Sequence, residues 1–186
     1  MNRIILLILI LFGMICSGCS AVWRYDEIIA PNNWKKLKDS GNFSVKVGKF
    51  DAAKEANDSS ISIRLEPVVS PYHSSYAAYL EEALKQDLSI VKKLKLDSDI
   101  EISGVLLKNN IDVPPFSKAS GDIEARFIVK KGNVVRYDQV KSNHLEWELK
   151  ISGSRAISFA GQQYPHMVEG LLATLYADPS FIEALK

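Results

Sequence analysis

Strict alternation of apolar and polar side chains in two stretches of the C-terminal half is the feature that most constrains this fold. Every second residue is apolar in residues 123–129, and the same holds for residues 145–151. Successive side chains of a β-strand point to opposite faces, so this period of two predicts strands with one buried and one solvated face. Trp147 lies on the apolar side and should be buried, whereas Glu146 should be exposed. Lys-Gly-Asn at residues 131–133 predicts a turn, and an antiparallel hairpin follows.

The register of this hairpin depends on the length of its turn. A three-residue loop over residues 131–133 places Phe127 opposite Tyr137 on the buried face and Arg126 opposite Asp138 on the solvated face. A two-residue loop would instead place the apolar Phe127 ring opposite Asp138. The three-residue loop is therefore expected.

Alternation also predicts strands elsewhere in the chain. Residues 43–47 and 61–65 each have apolar side chains at every second position. Ile100 and Ile102 begin another strand, which residues 105–107 follow, with Gly104 at a bulge or at a close approach of another group. The polar residues 51–60 are expected to form a loop.

A long helix is predicted after the second of these strands. Ser70 and Pro71 provide an N-cap and a first-turn proline. The apolar stripe that follows has helical spacing, at Tyr72, Tyr76, Tyr79, Leu80, Ala83, Leu84, Leu88 and Val91. Three tyrosines on one stripe could form a ligand platform, but aromatic residues at helical spacing are more often core. We therefore interpret them as core.

The C-terminal residues predict helices. Apolar residues recur with helical spacing from Ala156 to Leu175, and Pro165 lies inside this pattern. Proline lacks an N–H group, so we expect a short helix, a break near Tyr164 and a second helix. Asp178 begins a last turn. Together these elements predict the α+β class, with a mainly antiparallel sheet and helices packed on one face.

The overall charge excludes a uniformly basic surface. The chain has 23 basic and 22 acidic residues, and removal of a leader containing Arg3 would leave 23 − 1 = 22 basic residues. A neutral domain has no general affinity for nucleic acid, so no nucleic-acid partner is expected. The two cysteines are Cys16 and Cys19. Because both lie at the end of the leader, no disulfide or thiolate metal site is expected in the domain.

The N-terminal residues 1–18 form a short basic region, an apolar region of roughly a dozen residues and a final small-residue stretch. A helix needs roughly 20 apolar residues to cross a bilayer, so a cleaved signal peptide is favoured over a permanent span. Ser17, Gly18 and Cys19 resemble the lipobox of bacterial lipoproteins. Cys16 departs from this pattern, in which an aliphatic residue is usual. The alternative is an ordinary secretory leader with an accidental cysteine.

The lipobox resemblance implies that Cys19 carries the lipid and holds the protein in the cell envelope. Ser20 stands where an aspartate would resemble the inner-membrane retention signal, so we expect the outer membrane, facing the periplasm. Residues 19–42 are interpreted as a lipidated tether and residues 43–186 as a single domain. The aromatic residues Trp23 and Tyr25 either lie at the headgroup level or dock onto the domain.

One group of residues invites a catalytic or metal-binding interpretation. His144, Glu146 and Glu148 alternate along one strand and share a face, roughly 7 Å apart at each step. Such a set could ligate a metal or supply the two carboxylates of an inverting glycosidase. A solvated strand face explains the same pattern. We therefore expect no catalytic residue, no metal and no cofactor.

The chain resembles YajG-like envelope lipoproteins and the auxiliary lipoproteins of ABC-type lipid transport. The similar features are the order of elements, the lipobox, the YLEEALKQDL helix and the closing helices. The resemblance concerns the plan of the chain and carries no residue motif. It implies a non-enzymatic interaction or assembly accessory with an envelope protein or lipid partner. A lipid-transport accessory with an apolar groove is the first alternative, and an envelope hydrolase is the second.

Overall fold

A computed structural model describes residues 20–25, 31–115, 118–149 and 154–186. The described residues form seven strands: β1 (Ser20–Ala21), β2 (Lys46–Ala52), β3 (Ile61–Ile63), β4 (Glu66–Val69), β5 (Ile100–Asp112), β6 (Ala119–Lys131) and β7 (Val134–Trp147). They also form four helices: α1 (Pro31–Asp39), α2 (Tyr76–Ile90), α3 (Ser154–Tyr176) and α4 (Pro179–Ala184). The predicted signal peptide and Cys19 lie outside the described residues.

The main sheet has four strands in the order β2-β5-β6-β7. Strand β2 pairs parallel with β5, and the other two pairings are antiparallel. Helices α2 and α3 pack on one face of this sheet, and Phe127 and Ile102 are fully buried there. The predicted α+β class, with a mainly antiparallel sheet, is confirmed. Gly104 lies at a close approach, since a Cβ atom on it would clash with the Phe50 ring.

The β6–β7 hairpin is confirmed, but its expected register is wrong. Lys131 pairs with Val134, so the loop has two residues, and Gly132 adopts a φ of 57°. A bulge one step later inserts an extra residue into β7, and Phe127 pairs with Gln139. The shorter loop alone would move the side chains of β7 to the opposite faces. Because the extra residue of the bulge restores their original faces, Tyr137 still points into the core. The Arg126–Asp138 ion pair forms diagonally.

A smaller sheet has the order β1-β4-β3. Strands β3 and β4 form a hairpin with Ile63 paired to Glu66, so only Arg64 and Leu65 form its turn. The strand predicted over residues 61–65 therefore ends at Ile63. Leu65 is 95% exposed instead of buried.

Helix α2 begins later than predicted. Its N-cap is Ser75, whose hydroxyl accepts a hydrogen bond from the Ala78 N–H at 3.1 Å. His73 and Ser74 adopt left-handed backbone conformations and separate the predicted cap, Ser70, from the helix. The interpretation of the tyrosine stripe as core is confirmed by the burial of its members Tyr72, Tyr76 and Tyr79.

Helix α3 continues through Pro165, which corrects the expected break near Tyr164. Proline cannot donate a hydrogen bond to the carbonyl of Gly161, four residues earlier. The backbone N–H of Trp23 donates to that carbonyl at 3.2 Å. A segment distant in sequence thus satisfies the polar group that Pro165 leaves without its helical partner.

The described part of residues 19–42 packs against the domain, which corrects our interpretation of this segment as a tether outside the domain. Strand β1 pairs with β4, and helix α1 contacts α2 and α3. Val22 and Tyr25 are each 3% exposed, and Leu37 is fully buried. Tyr25 docks onto the domain, whereas Trp23 stays partly exposed. No helix in the described ranges has both the length and the apolar character that a membrane span requires.

Candidate functional site

A buried carboxylate joins the N-terminal segment to helices α2 and α3. Asp87 on α2 is fully buried and accepts hydrogen bonds from three side chains. Tyr176 donates at 2.9 Å, Trp34 Nε1 at 3.1 Å and Tyr25 at 3.2 Å. Each donor comes from a different segment, so Asp87 fixes the position of α1 relative to the domain. A second contact also fixes the position of α1, since the Asn33 side chain donates to the carbonyl of Glu169 on α3 at 3.0 Å.

The electrostatics of this cluster follow from its burial. Burial raises the pKa of Asp87 to about 6, and the hydrogen bonds from its three donors oppose that rise. Burial also raises the pKa of Tyr25 and Tyr176 well above their ordinary value, so both phenols stay protonated donors. A buried acid surrounded by neutral donors is suited to holding segments together.

An open groove lies where α1 meets the end of α2. It has a volume of about 660 Å³, and its lining residues are Trp34, Lys35, Lys38, Asp39, Ile90, Val91 and Lys92. Trp34, Ile90 and Val91 form its apolar part. The indole of Trp34 is held in place by Asp87, and Ile90 is 52% exposed. Volumes of this size are typical of binding sites.

The rim of the groove is predominantly basic. Three lysines face one acidic residue, Asp39, which gives a local excess of two positive charges. Lys92 directly follows the C-cap of α2 and has a φ of 60°, a left-handed conformation that glycine usually adopts at this place. Lys93 is turned away from the groove, with its ammonium 3.9 Å from the centre of the Phe43 ring.

A second groove, on the other side of α1, has a different character. Its volume is about 530 Å³, and its charged lining residues are Lys36, Asp39, Glu183 and Lys186. Lys186 forms an ion pair with Glu183 at 3.0 Å. Positive and negative charges are therefore balanced there. The first groove is the better candidate for binding a charged partner.

The basic groove and strand β1 lie at opposite ends of α2. The Tyr76 hydroxyl at the start of α2 donates to Val68, the residue that pairs with Ser20. The groove contains Ile90, the last residue of the same helix. A helix of 15 residues is about 21 Å long between its first and last Cα atoms. The groove is therefore distant from the residue that follows Cys19.

The structure places His144, Glu146 and Glu148 on the open face of the sheet, each with a charged neighbour. His144 Nδ1 lies 2.9 Å from Asp122, and this hydrogen bond raises the pKa of His144. Lys118 lies 3.6 Å from Glu148 and 4.0 Å from Glu146. Among the described residues no set of three or more His, Cys, Asp or Glu side chains could hold a metal ion. The contacts of His144 with Asp122 and of Lys118 with the two glutamates favour the interpretation as a solvated strand face.

Sequence reasoning missed the basic groove because residues 19–42 were interpreted as a tether. One signal was available: Asn33 and Leu37 have helical spacing, and three lysines, Lys35, Lys36 and Lys38, surround Leu37. This is the pattern of a short amphipathic helix. The position of Ile90 and Lys92 next to that helix could not be derived from the sequence.

The fold is similar to those of solved structures, including the following two. Protein XCC0632 from Xanthomonas campestris, assigned to family DUF330, matches with a TM-score of 0.56 and 12% identity, over 77% of this chain and 87% of that protein. The hypothetical protein CT253 from Chlamydia trachomatis matches with a TM-score of 0.50 and 11% identity, over 76% of this chain and 98% of that protein. No protein-family model and no curated protein sequence matches this chain. These likenesses establish a shared fold.

Proposed function

We propose that this protein is a lipid-anchored accessory of the bacterial cell envelope that binds a partner protein and is not an enzyme. Its anchor is the lipid on Cys19, as the lipobox resemblance implies, and the expected location is the outer membrane, facing the periplasm. The observation that carries the binding role is the basic groove with an apolar floor at the end of α2.

The chemistry of the groove supports an acidic, amphipathic protein segment as the partner. Trp34, Ile90 and Val91 accept apolar side chains, and the lysines around them accept carboxylates. Tryptophan is enriched at the centre of protein interfaces, and the rim around such a centre is polar. The groove lies far from Ser20, so an anchored domain presents it away from the attachment point.

A lipid-transport accessory is the second candidate, because the groove is partly apolar. An acyl chain in a binding protein is normally enclosed along its length. Here three apolar side chains form the floor, and the groove is open to solvent along its rim. The groove therefore favours a protein segment over a lipid chain.

The anchor is tested by metabolic labelling with a palmitate analogue. Wild-type protein should incorporate the label, and the Cys19→Ala variant should remain an unlabelled precursor. Replacing Cys16 should leave labelling unchanged. Unchanged labelling of Cys19→Ala would refute the anchor.

The binding role is tested with matched charge-reversal variants. Lys35→Glu combined with Lys38→Glu changes the groove, whereas Lys54→Glu combined with Arg136→Glu makes the same change of charge at exposed positions elsewhere. Complexes crosslinked in intact envelopes and recovered with the protein should be lost in the groove variant and retained in the control. Equal recovery of the same complexes from both variants would contradict the proposed role of the groove.

A further inference from the structure

We propose that Leu65, at the tip of the β3–β4 hairpin, is a second membrane contact that inserts into the lipid surface beside the acyl anchor. This inference rests on the proposed lipidation of Cys19. It assigns an orientation to the domain: the small sheet faces the membrane, and the basic groove faces away from it.

The conformation of the hairpin tip is unfavourable for the residues found there. Arg64 and Leu65 have φ angles of 51° and 70°, so both central residues of this two-residue turn are left-handed. Such turns strongly prefer asparagine, aspartate and glycine, because other side chains are strained in this conformation. A strained non-glycine residue that persists in a turn is a reason to look for a role in binding.

The exposure of Leu65 is a second, independent observation. Its side chain is 95% exposed, although the apolar residues on both strands of the hairpin, Ile61, Ile63 and Val68, are buried. A leucine in this position contributes nothing to the core. Insertion into a lipid surface would remove it from water.

The position of the tip relative to the anchor selects the lipid surface as the partner. Ser20 pairs with Val68, and Val68 is three residues from Leu65. Cys19 is covalently bonded to Ser20, so their Cα atoms are about 3.8 Å apart. Adding a strand spacing of about 4.8 Å and three extended residues of about 3.4 Å each gives an upper limit of roughly 19 Å between Cys19 and Leu65. An anchor at Cys19 thus holds the tip within roughly 19 Å of the attachment point, which is within reach of the lipid surface.

The charges at the tip do not oppose this arrangement. Arg64 donates from its Nε to the carbonyl of Val113 at 3.0 Å, and from Nη2 to that of Pro114 at 3.3 Å. These two hydrogen bonds fix the turn against the loop that follows β5. Glu66 on the other side of Leu65 is exposed. One positive and one negative charge flank Leu65, so the contact depends on the apolar side chain.

A single-cysteine probe tests the proposal. The signal peptide contains Cys16 and the lipid occupies Cys19, so Leu65→Cys would provide the free thiol of the mature protein. The lipidated protein is labelled with an environment-sensitive fluorophore and reconstituted into phosphatidylethanolamine–phosphatidylglycerol vesicles that contain a brominated lipid. Leu96→Cys is the matched control, because Leu96 is 87% exposed and follows the distant end of α2.

We expect several-fold stronger quenching by the brominated lipid at position 65 than at position 96. Protein that carries the lipid and floats with the vesicles, but is quenched equally or not at all at position 65, would overturn the inference and leave the anchor intact. Protein that carries no lipid on Cys19 would overturn the anchor and the inference together.

A second variant separates membrane contact from folding. Leu65→Asn introduces a residue that tolerates the left-handed conformation, so its melting temperature should equal or exceed that of the wild type. The lipidated variant should nevertheless show weaker lipid protection of the hairpin in hydrogen exchange. A lower melting temperature would indicate that Leu65 serves the fold, and would contradict the proposal.

Discussion

At the scale of single residues, Asp87 is the group on which the docking of the N-terminal segment most depends. A hydrogen bond to a buried charged group stabilises a protein by about 1.5 to 3 kcal/mol. Asp87 accepts such bonds from Tyr25, Trp34 and Tyr176. Neither the burial of this acid nor its donors could be predicted from the sequence, because the donors lie 62, 53 and 89 residues away.

Removing one of these donors gives the first prediction. Tyr176→Phe should lower the free energy of unfolding by about 1.5 to 3 kcal/mol, because Asp87 loses a donor at a fully buried position. Tyr72→Phe is the control, since the Tyr72 hydroxyl has one long contact with Gln86, at 3.4 Å. Urea unfolding compares the two. Equal midpoints would show that the Tyr176 hydrogen bond does not stabilise the fold.

The pKa of Asp87 gives the second prediction. Burial raises it from 3.8 to about 6, so the folded protein retains a proton that the unfolded chain releases. The contribution of Asp87 to the free energy of unfolding is therefore greatest below about pH 4. It declines as the pH rises from about 4 through 6, and it changes little at higher pH. A pKa difference of about 2 corresponds to about 3 kcal/mol.

Asp87→Asn should lack this pH dependence. Subtracting its unfolding free energy from that of the wild type at each pH removes the contributions of other groups, such as Asp178, whose pKa is lowered to about 2 chiefly by its hydrogen bond from Lys141. The difference should fall by about 3 kcal/mol between pH 3.5 and 7.5. A difference that does not vary with pH would be inconsistent with a buried Asp87.

The burial of Trp147 gives the third prediction. This side chain is 9% exposed, as the alternation predicted. Trp147→Ala should lower the free energy of unfolding by about 3 to 5 kcal/mol, whereas Glu146→Ala on the open face should lower it by less than about 0.5 kcal/mol. Similar urea midpoints for the two variants would show that Trp147 does not lie on the core face of its strand.

At the scale of elements, periodicity predicted the strands of the β6–β7 hairpin and the core face of α2. It did not predict how these elements join. The bulge beside Val129 compensates for a two-residue loop, and no apolar pattern distinguishes this from a longer loop. Helix α3 continues through Pro165 because Trp23 donates to Gly161. That contact joins residues 138 positions apart, and local rules cannot predict it.

The packed N-terminal segment gives the fourth prediction. The interpretation of residues 19–42 as a tether implies that a protein beginning near Asn42 folds. The structure shows that such a deletion removes Val22, Tyr25 and Leu37 from the core and two donors from Asp87. The deleted protein should be severely destabilised, and a protein beginning at Ser20 should fold normally. Circular dichroism melting distinguishes them, and equal melting temperatures would contradict the structural role of this segment.

At the scale of the whole molecule, the two ends of α2 have different proposed roles. The end near Val68 lies beside Ser20, the residue that follows the proposed attachment point, and the other end carries the basic groove. The α+β class could be predicted from the sequence, whereas the leader stays a prediction. The groove could not be predicted, because it combines α1 with residues some fifty positions later in the chain.

Site-specific photocrosslinking in intact envelopes tests directly whether the basic groove binds an acidic protein segment. A photoreactive residue replaces Ile90 in the groove or, as the control, Val140 on the open sheet face; the two side chains are 52% and 48% exposed. We predict an adduct with an acidic segment of an envelope protein at position 90 and none at position 140. A lipid adduct at position 90, equal adducts at both positions, or no protein adduct at position 90 would contradict the proposed role of the groove.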